Sequence, residues 1–113
     1  MNETKTKYSE FPHTTREHME LLMKCFTICS ACAKKCINEG MSETAILCSD
    51  CADVCALTIK LHSGDSEFNK KILDLCAEVC LRCAEACSKH SIEHCQQCSD
   101  ICFKCAKACH EDT

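Results

Sequence analysis

Tryptophan is missing from this 113-residue chain, and it has only one tyrosine, four phenylalanines, one proline and two glycines. Each scarcity excludes something. Without large aromatic side chains, which usually contribute most buried area per residue, a small chain must fill its interior by another means. With Pro12 as the single proline and Gly40 and Gly64 as the only glycines, little interrupts long helices. Charged residues interrupt every segment, so no apolar run approaches the roughly 20 residues a membrane span needs. There is no basic excess either. The net charge is −4, from 13 basic and 17 acidic residues, and the Lys and Arg are scattered, which leaves nucleic-acid binding without support. Met1 to Glu10 are polar and mixed in charge, with no apolar export segment, twin arginine or small-residue cleavage site. The chain is therefore expected in a reducing cytosol, as one domain with one core.

What the chain does have is cysteine, 16 residues or about 14% of the total, above the roughly 8–10% that marks disulfide scaffolds in short secreted chains. In a reducing compartment such density points to metal or redox chemistry rather than structural bridges. The spacing carries more information than the count. Four segments hold Cys25, Cys29, Cys32 and Cys36; Cys48, Cys51 and Cys55; Cys76, Cys80, Cys83 and Cys87; and Cys95, Cys98, Cys102, Cys105 and Cys109. Nearly every gap within a segment is three or four residues, the period of one helix face, so thiols occupy the positions where a bundle helix places Leu.

The punctuation agrees with four helices. Thr14-Thr15-Arg16-Glu17, after Pro12, reads as a capping box opening a first helix that runs to Glu39 before Gly40. Ser42 is the expected N-cap of a second helix reaching about His62, where Ser63-Gly64-Asp65-Ser66 breaks the pattern. A third helix is expected from Ser66 to about His90, and a fourth, capped by Ser91, from Ile92 to about His110. Residues 1–13 read as a flexible N-terminal arm and 14–113 as a single bundle. Linkers of a few residues force consecutive helices antiparallel, which predicts an all-α, up-down-up-down four-helix bundle with a cysteine-lined core. Cys-Ser-Asp-Cys-Ala-Asp-Val-Cys at 48–55, Cys-Ala-Glu-Val-Cys-Leu-Arg-Cys-Ala-Glu-Ala-Cys at 76–87 and Cys-Phe-Lys-Cys-Ala-Lys-Ala-Cys at 102–109 look like one repeated helical unit. Small residues beside the thiols (Ala31, Ala33, Ala52, Ala77, Ala84, Ala86, Ala106, Ala108) favour helix and close approach.

Free cysteine packs well as a small hydrophobe, but sixteen on one face is not a packing solution. Disulfides between neighbours on one helix would be strained, because their Cβ vectors run side by side. A thiol–disulfide redox protein nevertheless stays an alternative. So does zinc or iron–sulfur binding, although Cys-x2-Cys here lacks the turn glycines of structural zinc sites and the Cys-Pro often ending an iron–sulfur loop. Cu(I) suits the pattern better. Thiolates are its preferred ligands, and it accepts two or three of them. Seven Cys-x3-Cys pairs, at 25/29, 32/36, 51/55, 76/80, 83/87, 98/102 and 105/109, suit two-coordinate bridging. One monovalent cation per thiolate also leaves a neutral core, which a divalent ion at that ratio would not. The expectation is about one Cu(I) per cysteine.

Cys-Ala-Asp-Val-Cys-Ala-Leu at 51–57, Cys-Ala-Glu-Val-Cys at 76–80 and His94-Cys95 opening the five-cysteine segment together resemble the bacterial four-helix-bundle copper storage proteins, in the branch without an export signal. The resemblance covers about residues 14–110. It implies that all sixteen cysteines are candidate Cu(I) ligands, that many ions sit inside the bundle and that the chain forms homotetramers. It does not say which protein donates or accepts the copper. With only three cysteines on its second helix, this chain should hold fewer ions than the most cysteine-rich cytosolic relatives.

Antiparallel packing places Cys36, Cys48, Cys87 and Cys95 at one end with Met41, His90 and His94, and His90 and His94 are candidate metal ligands at a copper entrance there. The alternative for each is a solvated helix-terminal residue. At the other end Leu22, Ile59 and Leu73 or Ile72 continue the ladders as an apolar plug. His13, His18, His62 and His110, with Met1, Met19 and Met23, read as ordinary solvated positions. An enzyme is not expected. The paired Glu-x-x-His motifs of di-iron bundles are missing, since Glu10 to His13 spans a proline outside the helices.

Overall fold

Residues 16–111, which the computed structural model describes, form four α-helices: α1 (Arg16–Asn38), α2 (Ser42–Ser63), α3 (Asn69–Ser88) and α4 (Glu93–Glu111). The expected arm and Thr14-Thr15 lie outside these residues. Helix α1 packs on α2 and α4, and α3 packs on the same two, so the helices close into a four-membered ring in chain order. The links between them are three, five and four residues long (39–41, 64–68 and 89–92), enough only to reverse direction. The result is the up-down-up-down bundle that period and punctuation predict.

Two αL residues make the first two reversals. After α1, Gly40 adopts φ +81°, its N–H bonds Ile37 O at 3.1 Å and the Met41 N–H bonds Cys36 O at 2.8 Å, the paired pattern of a Schellman cap. After α2 the same pattern recurs, Asp65 N–H to His62 O and Ser66 N–H to Leu61 O, but the left-handed residue is Asp65 at φ 55°, while Gly64 lies at φ −88°. Glycine thus marks the second helix end without supplying its special conformation. Aspartate tolerates αL better than most residues, through local hydrogen bonding of its short side chain.

The helix starts differ from expectation. Ser42 is the first residue of α2 rather than its N-cap, and the capping position is Met41, with no side-chain cap bond. Helix α3 begins three residues late, at Asn69, because Ser66 Oγ accepts the Phe68 N–H at 3.0 Å and holds 66–68 as a turn. Helix α3 also ends at Ser88, where the His90 N–H bonds Cys87 O.

Inside the ring, every cysteine is at most 1% exposed. Ala52, Ala77, Ala84 and Ala106 are buried beside them, although Ala31 faces outward. Where α3 meets α4, buried Ser99 donates to Ala84 O at 2.9 Å, so a small polar side chain both satisfies itself and keeps the backbones close. The bulkiest fully buried side chains are Leu22, Leu73 and Thr58, gathered at one end. Burying a leucine of this kind contributes roughly 1.5–3 kcal/mol.

Candidate metal centre

The sixteen ladder positions converge as the helical period requires, and all sixteen thiols are free and buried. Four of the seven Cys-x3-Cys pairs, 25/29, 32/36, 76/80 and 98/102, have Sγ atoms 3.8–4.0 Å apart. Contacts between helices are as close or closer. Cys29 reaches Cys102 at 3.4 Å, Cys48 reaches Cys87 at 3.6 Å, Cys51 reaches Cys80 at 3.6 Å and Cys83 reaches Cys48 at 3.7 Å. These separations are well beyond the roughly 2.05 Å of a disulfide. One metal ion with bonds of about 2.3 Å to two thiolates at a trigonal angle would hold the sulfurs about 4.0 Å apart, so the thiols are already near ligand spacing.

The thiols also overlap as groups. Cys25/Cys55/Cys80/Cys105, Cys25/Cys29/Cys51/Cys102, Cys29/Cys83/Cys98/Cys102, Cys32/Cys48/Cys87/Cys98 and Cys32/Cys36/His94/Cys95 each place their ligand atoms within 4.8 Å of one another. Each group shares at least one residue with the next: Cys25, then Cys29 and Cys102, then Cys98, then Cys32. The sites are therefore links of one continuous sulfur path along the axis. Sequence reasoning paired thiols along each helix, whereas the geometry couples them across helices just as strongly.

Electrostatics follows from this crowding. Burial, reinforced by charge on Cys32, pushes the Cys95 thiol up to about 11. Cys29 is also pushed up to about 11, Cys102 favouring its thiolate but Cys25, Cys51 and burial opposing it. Cys32 is drawn down to about 6, chiefly by hydrogen bonding to Cys48 and, further down, to Cys98 and His94, against Cys87 and burial. At Cys76, Cys105 acts to raise the pKa, but Cys109, Cys55 and Cys80 lower it to about 5. A few thiolates are thus solvated by neighbouring thiols, and the remaining thiols stay protonated because more charge cannot be accommodated without cations.

At the end holding Cys36, Cys48, Cys87 and Cys95, the two candidate histidines separate. His94 Nε2 donates to Glu39 Oε1 at 2.9 Å, which leaves Nδ1 of the neutral ring facing Cys32 Sγ at 3.2 Å and Cys95 Sγ at 3.7 Å. A carboxylate orienting one ring nitrogen while the other meets a soft ligand set is the usual support for a metal-bound histidine. Burial works against the imidazolium, but hydrogen bonds to Cys32 and Glu39 outweigh it and raise the His94 pKa. His90 does not join a thiol group among those described above. Its Nε2 shares a hydrogen bond with Thr44 Oγ1 at 3.1 Å, and its carbonyl accepts from Gln96. It lines an open groove of about 840 Å³ together with Met41 and Thr44, between the start of α2 and the end of α3.

The opposite end departs from expectation. Leu22, Leu73 and Ile72 are buried as predicted, but the α2 contribution is Thr58, fully buried, while Ile59 is half-buried. Three residues past Cys55, not four, stay on the face. His18 and His62, expected in solvent, are each 3% exposed, with ring centroids 5.6 Å apart, and His18 Nε2 lies 3.5 Å from Cys109 Sγ. The signal was present in the register. His18 precedes Leu22 by four and Cys25 by seven, and His62 follows Thr58 by four and Cys55 by seven, so both ladders extend another turn. Glu39 left no such trace, because its partner is 55 residues away. His110 and Met23 are exposed as expected and Met19 is half-buried, while His13 and Met1 lie outside the described residues.

Known proteins place this arrangement. The family model described as copper storage protein matches residues 12–113. An uncharacterized cysteine-rich protein of Bacillus subtilis, YhjQ, is 39% identical over 82 residues, 69% of this chain and 76% of that protein. The Cu(I)-bound copper storage protein BsCsp3 superposes with a TM-score of 0.80 at 37% identity, over 84% of this chain and 93% of its own. Apo-Csp3 from Bacillus subtilis gives 0.79 at 40% identity, over 84% and 94%.

Proposed function

The chain belongs to the copper storage protein family, and from that premise we propose that it is a non-catalytic, high-capacity Cu(I) store. The sixteen cysteines hold the metal, about one ion per thiolate. The observation carrying this reading is the overlap of the buried thiol groups into a single path. A lone tetrahedral site needs four ligands and would leave the rest without purpose. Buried thiols with sulfur neighbours at 3.4–4.0 Å, several of them sharing two groups, suit many soft monovalent ions bridged by common sulfurs. Each Cu(I) neutralises one thiolate, removing the charge that otherwise keeps most of these groups protonated.

Loading proceeds from the His94 end, where Cys32, Cys36 and Cys95 lie beneath the partly exposed His94 ring. Among the described residues no helix is long and apolar enough to cross a membrane, and sixteen free thiols suit a reducing, cytosolic setting. The proposed homotetramer is supported by exposed apolar side chains. Leu81 and Phe103, 42% and 45% exposed, border an apolar groove of about 790 Å³ between α3 and α4. Leu81→Glu with Phe103→Glu is expected to dissociate the assembly in sedimentation, and an unchanged mass would move the interface elsewhere.

Capacity tests the function directly. Replacing Cys48, Cys51 and Cys55 together by Ser should lower the number of Cu(I) ions held by about three per chain, read from anaerobic copper–thiolate absorbance against added Cu(I). A variant with undiminished capacity, or a wild-type chain saturating at a few ions, would reject storage in favour of zinc, iron–sulfur or redox chemistry.

A further inference from the structure

Building on the storage reading, we propose that His18, His62 and Cys109 form a terminal Cu(I) site of two imidazoles and one thiolate, at the end of the bundle opposite His94. Three helices bring these side chains together: His18 from the first turn of α1, His62 from the last turn of α2 and Cys109 from the last turn of α4. All three are buried, His18 and His62 at 3% exposure and Cys109 at 0%.

The spacing is that of a ligand set. His18 Nε2 and Cys109 Sγ are 3.5 Å apart. A metal with bonds of about 2.0 Å to nitrogen and 2.3 Å to sulfur, at an angle between tetrahedral and trigonal, holds its two ligand atoms about 3.5–3.7 Å apart. The His62 ring packs against that of His18, its centroid 5.6 Å away and its plane inclined by 58°. Both rings lie at the end of the core that holds Leu22, Leu73 and Ile72, so this end carries two nitrogen-bearing side chains among apolar ones.

Charge and connectivity agree. Neutral imidazole is a good ligand for copper, and two of them with one thiolate bind Cu(I) as a neutral unit. Cys109 stands one helical turn after Cys105 on the same face of α4, both fully buried, and Cys105 belongs to the group with Cys25, Cys55 and Cys80. The thiol ladder of α4 therefore runs on from that group to Cys109, which lies against His18. The site lies at the far end of the path from the Cys32/Cys36/His94/Cys95 group, and it uses no residue of that group.

The test uses the full-length reduced chain, labelled with ¹⁵N in its histidine rings and titrated anaerobically with Cu(I), each ring assigned through a single His→Gln variant. A nitrogen of His18 and one of His62 are expected to move together to metal-bound shifts as the chain fills, and His18→Gln with His62→Gln should lower capacity by about one ion per chain. Copper–thiolate absorbance recorded alongside separates the possible failures. Unmoved His18 and His62 in a chain filled to about one ion per cysteine overturn the terminal site alone. A chain accepting only a few ions with both histidines unmoved overturns the storage reading as well. The spectra of the native chain decide the matter even if the double variant fails to fold.

Discussion

At the residue scale, the decisive position is His94. Its Nε2–H is held by Glu39, and its other nitrogen faces Cys32 and Cys95, which in the proposed loading route makes it the residue that hands an arriving ion to those thiols. His90 instead bonds Thr44 beside Met41 and contributes to the groove outside. Replacing both histidines by Ala is expected to slow Cu(I) uptake severalfold in stopped-flow absorbance while leaving the final copper count nearly unchanged. Unaltered uptake would move the entrance to another part of the molecule. The buried thiol ladders were legible in the sequence, because sixteen cysteines at spacings of three and four can share a face in only one way. His18 and His62 needed the ladder extended by a further turn. Glu39 could not be read at all, since only the closed bundle brings it to His94.

At the element scale, helix number, order and direction followed from period and punctuation, while helix starts did not. Ser42 and Ser66 have the chemistry of caps, but Ser42 is already helical and Ser66 is spent on the turn at Phe68. Tertiary packing decides where the first turn begins, and it overrides a preference worth only about 1 kcal/mol. The two glycines look alike in sequence and differ in the fold. Gly40 sits at φ +81°, so Gly40→Ala is expected to destabilise the reduced apo protein by about 1–2 kcal/mol. Gly64 lies at φ −88°, and a Cβ there would meet Lys60 O at 3.4 Å, an ordinary contact. Gly64→Ala should therefore stabilise by about 0.4–1 kcal/mol, through the unfolded chain. Anaerobic denaturant titration measures both, and equal effects of the same sign would refute the assignment of Asp65 as the left-handed residue.

At the scale of the whole molecule, the apo bundle carries a core chemically suited to cations. Ten of the sixteen thiols have raised pKa values in the fold, Cys29 and Cys95 reaching about 11. A thiol whose pKa is raised on folding contributes stability that is fully present below its ordinary value of 9.0 and is lost as pH rises through the folded value. Lowered thiols such as Cys32, at about 6, act the other way, adding stability that is complete above 9.0 and lost as pH falls through the folded value. Above pH 9 only the raised group still changes. The melting temperature of the reduced apo protein is therefore expected to fall between about pH 9 and 11. The copper-loaded protein, with its thiolates already neutralised, should melt higher and show little slope over the same range. Parallel slopes would contradict a charge-limited core.

The most direct test of copper storage is to titrate the reduced, anaerobic chain with Cu(I) against a competing chromogenic chelator while counting the remaining free thiols. The thiol path predicts tight uptake to a plateau near one copper per cysteine, with accessible thiols disappearing in proportion. A plateau at a few ions, with most thiols still reactive after unfolding, would contradict it.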